Sequence, residues 1–376
     1  MPGPLLACAL AALLAAEPGS DEPSLHVTPI PIVSYGSDIG LQLGGAAYLY
    51  WIERSGERGD WGSLALTYTT RGPRSIEAKS ELTRLGGTSL ATFLQAKLSL
   101  DTSAPYWGEG AALGGLGVPP GSGSPPEPYR YRAVGPWLSA IVRGDIVHPF
   151  VWWTRVRYQH VDVSDRPALL VASSPPAAGG GPSTLVHAGV LYDTRDRSSS
   201  ARHGVLADAS LFAAPPVQGL SDHPFGGVDL GARAFVGAWP GATLAVRALY
   251  DLKLGDVPFF ERSLYEGIGY GEGLGGSGTI RGLARSRLSG EEKMLASAEL
   301  RAYLTETLWL GQLQEWGLSL GGDAGRARDR GYPPVVGAGV FGGARVLLGR
   351  AVVMRFEIGW AGQGGTSFYI AFDEAF

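Results

Sequence analysis

The stretch "GTIRGLARSR", Gly278–Arg287, carries Arg281, Arg285 and Arg287 and follows the glycine-rich run "GIGYGEGLGGSG". Such a basic tip suits a phosphate cradle, a nucleic-acid contact or a plug fixed inside a cavity by forked guanidinium bonds. Other spacings invite chemistry and fail on context. Gly271, Gly273 and Gly276 fit G-x-G-x-x-G, but no βαβ pattern surrounds them, so no dinucleotide site is expected. Gly317-Leu-Ser319-Leu-Gly321 fits a nucleophile elbow, yet it lies mid-strand with no helix after it. Arg143-Gly144-Asp145 reads as a turn, and Asp193, Arg195 and Asp196 read as a charged turn rather than a cation site. The 6 histidines show no ligand spacing, and Cys8 is the sole cysteine, so neither a disulfide nor a cysteine-based metal site is expected. The sequence predicts no enzyme, cofactor or metal.

Composition narrows the arginine question. The chain has 376 residues and a formal charge of −4, which supplies no global basic excess for nucleic acid. Charged residues are only 18%, while glycine reaches 57 and tryptophan and tyrosine stand at 10 and 15. Sparse charge with abundant glycine and amphipathic aromatics suits an all-β chain in a membrane. "PLLACALAALLAA", Pro4–Ala16, reads as a secretory signal with cleavage near Ala16. Residues 1–16 are thus expected to be removed, 17–25 to form a short periplasmic lead, and 26–376 to form one domain. No later apolar run reaches transmembrane-helix length.

The elements that must hold the arginines read as strands. In "MLASAELRAYL", Met294, Ala296, Ala298, Leu300, Ala302 and Leu304 alternate with Leu295, Ser297, Glu299, Arg301 and Tyr303. Period two sends these sets to opposite faces. Trp316, Leu318, Leu320 and Ala324 oppose Ser319, Gly321 and Asp323; Met354, Phe356, Ile358 and Trp360 oppose Arg355, Glu357 and Gly359. Arg155 and Arg157 share the polar face of a strand running from about His148 to Asp162, long enough for a tilted membrane crossing. About sixteen strands result. The longest gaps, 102–127, 164–183 and 255–290, all follow odd-numbered strands, whereas even strands end in tight turns such as "WPG". The predicted fold is therefore a transmembrane antiparallel β-barrel with short periplasmic turns and long outer loops, in the bacterial outer membrane. Phe368, Ile370, Phe372 and Phe376 are expected on one face of the last strand, as a terminal aromatic signal for barrel assembly machinery.

The carboxy-terminal third, with "LGGSGTIRGL", "LASAELRAYL", "GGDAGRARD", "RFEIGW" and "TSFYIAFDEAF", resembles the BamA/TamA outer-membrane assembly family. "YDTRDRSSSARHG" and the opening "IPIVSYGSDIGLQLGG" look similar to the same family, so the resemblance spans about 26–376. It implies a sixteen-stranded barrel in which the loop after strand eleven folds inward. There an arginine in a Val/Ile-Arg-Gly motif meets acids of the inner wall, which maps onto Arg281, Gly282, Glu299 and Asp323. The family's periplasmic POTRA modules have no counterpart between the expected signal and the first strand. A periplasmic partner protein supplying their role is therefore expected, alongside outer-membrane lipid.

Pro29 and Pro31 sit two apart in the first strand, where neither can donate a ladder bond. If both face strand sixteen, the closing seam near Phe372 and Phe376 is under-bonded. The two prolines read first as a frayed strand start before the barrel proper; the resemblance implies the other reading, a lateral gate toward lipid. The leading functional expectation is assisted insertion or translocation of protein or lipid. The alternative is a passive or plugged small-solute pore, or a structural barrel.

Overall fold

Period-two patterning closes on itself in the computed structural model of the chain. The structure describes residues 24–376 apart from 53–57, 84, 110–124, 199, 269–272, 310–311, 349–351, 363–364 and 373. Sixteen antiparallel strands form one closed barrel in simple sequential order. They are β1 Ser24–Gly36, β2 Gly40–Ile52, β3 Arg58–Thr69, β4 Pro73–Leu82, β5 Ala91–Pro105, β6 Arg130–Val147, β7 Phe150–Ser164 and β8 Gly180–Asp193. The second half comprises β9 Gly204–Ala214, β10 Phe225–Trp239, β11 Ala242–Gly255, β12 Glu292–Trp309, β13 Gln312–Arg328, β14 Val335–Leu348, β15 Val352–Ala361 and β16 Gly365–Ala371. The expected signal, 1–16, lies outside the described residues, as does most of the lead at 17–25; β1 begins at Ser24.

The two faces invert the pattern of a water-soluble sandwich. Leu66, Leu211, Leu320, Ile358 and Trp360 stand more than half exposed on the outer wall. Arg157, Lys253, Lys293, Glu299, Arg345 and Arg355 are buried on the inner one. An apolar exterior around a charged interior is stable only where lipid meets the outside, and closure pairs the strands of the barrel with one another, most sparsely between β1 and β16. Among the described residues, no helix is long and apolar enough to cross a membrane, so the crossing is made by strands.

The interior is packed by the connection between β11 and β12, residues 256–291. Leu274, Ile280, Leu283 and Leu288 from it pack on Leu249, Leu295 and Ala327 of the wall. The sequence motifs settle accordingly. Gly317–Gly321 lies inside β13. Arg143, Gly144 and Asp145 lie inside β6 rather than in a turn; the β6–β7 turn falls at His148 and Pro149. Asp193 and Arg195 hold each other in a forked pair, Nη2–Oδ2 2.8 Å and Nε–Oδ1 3.0 Å.

One expectation is overturned. The last strand does not run on to Phe376 with its aromatic residues on one face. β16 ends at Ala371, and Phe376 turns inward to pack with Ala201, Phe235 and Ala245. The physical reason is a better set of partners inside: the carbonyls of Ala375 and Phe376 accept guanidinium donors from Arg247 and Arg301 at 2.8 and 2.9 Å.

Candidate functional site

The inward loop reaches the wall through Arg281. Its Nε and Nη2 fork onto Asp323 Oδ2 and Oδ1 of β13 at 2.8 and 3.0 Å, and its backbone N–H donates to the same carboxylate at 3.2 Å. Its Nη1 donates to Glu299 of β12 and to Glu357 of β15, each at 3.3 Å. The guanidinium also lies over the Phe341 ring of β14. All four ionic groups are buried from solvent. Three carboxylates around one cation would repel one another, so further arginines complete the balance. Arg301 and Arg345 donate to Glu299 at 3.1 and 2.9 Å, and Arg355 donates to Glu357 at 2.7 Å. Charge-assisted bonds in a poorly screened interior bind tightly once every group is matched.

Backbone shape brings the arginine to this spot. Gly282 has φ of +100°, and a Cβ there would sit 2.6 Å from the Trp360 and Ala361 backbone. The loop thus lies flat on β15, with Gly282 N–H donating to the Tyr369 hydroxyl of β16 at 3.2 Å. The wall is bare in return: a Cβ at Gly339 would stand 2.2 Å from the Arg281 carbonyl oxygen. Upstream, Thr279 ties the bend by accepting from Gly275 N–H at 2.7 Å and donating to Gly273 O at 2.9 Å.

The three arginines of the loop part company. Arg285 donates to Asp101 of β5 at 2.6 Å, and Arg287 lies over the Trp107 ring. A second anchor, which sequence reasoning missed, sits earlier in the loop. Glu261 accepts from Arg157 at 2.7 Å, and Glu266 pairs with Arg155 at 3.3 Å. Parity puts Arg155 and Arg157 on the inner face; their partners lie in irregular backbone, where no periodicity marks them. Glu357, by contrast, stood in a polar alternation set and was open to assignment.

The seam is the second part of the site. β1 pairs with β2 along all 13 of its residues but with β16 only at Tyr35–Ile370 and Gly36–Tyr369. Ser37 N–H adds a bond to Phe368 O at 3.1 Å. That bond fixes which way β1 points: odd-numbered residues direct their backbone groups toward β16. Pro29 and Pro31 belong to that set, in the part of β1 that has no β16 partner among the described residues. Phe372 lies just past the end of β16, and Phe376 is in the lumen.

Arg281, Gly282, Glu299 and Asp323 therefore converge in one lumenal cluster, while Pro29 and Pro31 line an open strand edge. Among the described residues, no group of three acidic, histidine or cysteine side chains is placed to hold a metal ion.

No protein-family model and no curated protein sequence matches the chain. Solved structures do. BamA from Haemophilus ducreyi lacking POTRA domains 1–3 matches with a TM-score of 0.63 at 13% identity, over 93% of this chain and 70% of that one. CdiB from Escherichia coli matches at 0.62 and 12% identity, over 97% of this chain and 69% of its own. CdiB from Acinetobacter baumannii matches at 0.54 and 11%, over 93% and 65%. At such identities the likeness is one of fold, and it covers nearly the whole barrel: the chain has the architecture of a BamA-type outer-membrane β-barrel.

Proposed function

We propose that this barrel resides in the outer membrane and assists insertion or translocation of protein or lipid, acting through the β1–β16 seam and without enzymatic chemistry. The observation that carries the reading is the mismatch between the two sides of β1. One side is fully paired, and the other holds two residue pairs and faces two prolines. An open strand edge beside lipid can pair with an incoming strand or part to let a lipid through. The partners required are lipid at the seam and a client, with a separate periplasmic protein to deliver it.

Reconstitution tests this. The barrel in liposomes should accelerate folding of a second, unfolded outer-membrane barrel, read as its shift to the folded gel mobility. Equal folding rates with and without the protein would sink the reading.

A second reading, a plugged small-solute pore, is favoured by one specific observation: the loop and the tail both pack against the inner wall. Under it, Arg281→Gln raises liposome conductance while client folding stays at the rate of empty liposomes.

A further inference from the structure

The inward loop and the tail beyond β16 meet on shared residues. Arg247 of β11 donates through Nη2 to Gly278 O of the loop at 2.9 Å and through Nη1 to Ala375 O of the tail at 2.8 Å. Its guanidinium lies 4.5 Å from the Phe376 ring centroid, close enough for cation–π attraction. Glu299 is the second shared point. One of its oxygens accepts from Arg281 of the loop, and the other accepts from Arg301 and Arg345. Those two arginines in turn hold the tail: Arg345 pairs with Glu374, and Arg301 lies 3.5 Å from Glu374 and donates to Phe376 O at 2.9 Å. A buried group fixed by two partners is aimed by each for the other, so losing one partner weakens the hold on the second.

The alternative place for the tail is the seam. Carrying the observed register beyond Ala371 sets Glu374 opposite Pro31 and Phe376 opposite Pro29. Both prolines aim at β16 and neither can donate. The seam thus withholds two donors from the tail, whereas the lumen offers guanidinium groups. The balance favours the tail inside as long as the arginines stay in place.

We propose that Glu374, Ala375 and Phe376 form a lumenal strap coupled to the inward loop. When the loop leaves the wall, Arg247 keeps Ser297 and Glu299 keeps Arg301 and Arg345, but each loses one orienting partner, and the hold on the strap weakens until it is released. It is then free to extend β16 along β1, so loop position sets seam length. The proposal goes beyond the seam reading above, and its test involves no client.

The test perturbs one segment and reads the other. In a Cys8→Ala background, Ala375→Cys reports the strap and Ser277→Cys the loop, each by its maleimide labelling rate in the folded, reconstituted barrel. Arg281→Gln touches no residue of the strap, yet it should speed labelling at Ala375→Cys by about tenfold. A third reporter, Thr88→Cys, lies exposed in the β4–β5 connection outside the lumen and should be unaffected. In the reverse direction, Phe376→Ala should speed labelling at Ser277→Cys. The proposal is overturned if Arg281→Gln frees the loop while Ala375→Cys labels at its original rate. Should Arg281→Gln fail to fold, the Phe376→Ala arm decides alone, and an unchanged rate at Ser277→Cys overturns the proposal.

Discussion

Arg281 and Asp323 form a forked ion pair sealed from solvent, with N–O distances of 2.8 and 3.0 Å and a backbone N–H on the same carboxylate. Removing one side strands the other charge in the lumen. Arg281→Gln should therefore destabilise the seated loop by about 3–5 kcal/mol, less where water enters. Limited proteolysis within 256–291 reads the loss. Arg281→Lys should recover only part of it, since an ammonium cannot fork onto Asp323 while also reaching Glu299 and Glu357.

Gly282→Ala acts through shape alone. A Cβ at φ of +100° meets the β15 backbone at 2.6 Å, and neither strand nor loop can yield cheaply. The expected result is an unseated loop of about the Arg281→Gln phenotype with every charge still present. Normal loop protection in Gly282→Ala would contradict the flat docking on Trp360 and Ala361.

The β1–β2 turn links pH to the outer end of the seam. Burial pushes the Asp38 carboxyl above its usual range, and the nearby Arg285 charge and backbone N–H groups only partly offset it. A raised folded-state pKa means stability that is full below the ordinary carboxylate range and is lost as pH rises through the folded value. Hydrogen exchange at 37–39 should thus be slower under acid conditions than at neutral pH, after correction for intrinsic rates. Asp38→Asn should remove that difference.

Pro29→Val with Pro31→Val restores two donors on the β16-facing side of β1. Exchange protection on β1 should rise toward that of β2, and the tail should spend more time at the seam. Unchanged protection would mean that the prolines do not set seam length.

Much of this was legible in sequence because a barrel wall writes its two faces in alternate residues. Glu299 and Asp323 fall on the polar parity of β12 and β13, and the Ile280-Arg281-Gly282 motif pointed at them. The loop's second anchor was not legible, because Glu261 and Glu266 sit in irregular backbone whose direction no period reveals. The tail misled for a physical reason. Phe372, Glu374 and Phe376 continue the alternation of β16, but alternation reports only what a strand would do. It is silent on whether lumenal arginines outcompete two prolines for the tail's carbonyls. The extra acid Glu357 lay in plain view on the polar face of β15; what sequence lacked was the knowledge that one guanidinium spans three strands.

The central claim is that a parting seam does the work. Tyr35→Cys with Ile370→Cys, in the Cys8→Ala background, places a cysteine on each side of an observed cross-strand pair. Client folding should be measured on the oxidised and reduced forms of the same liposome preparation. The expected result is assistance in the reduced form, its loss on oxidation, and its return on reduction. A fully cross-linked barrel that accelerates client folding as well as the reduced one would contradict the account.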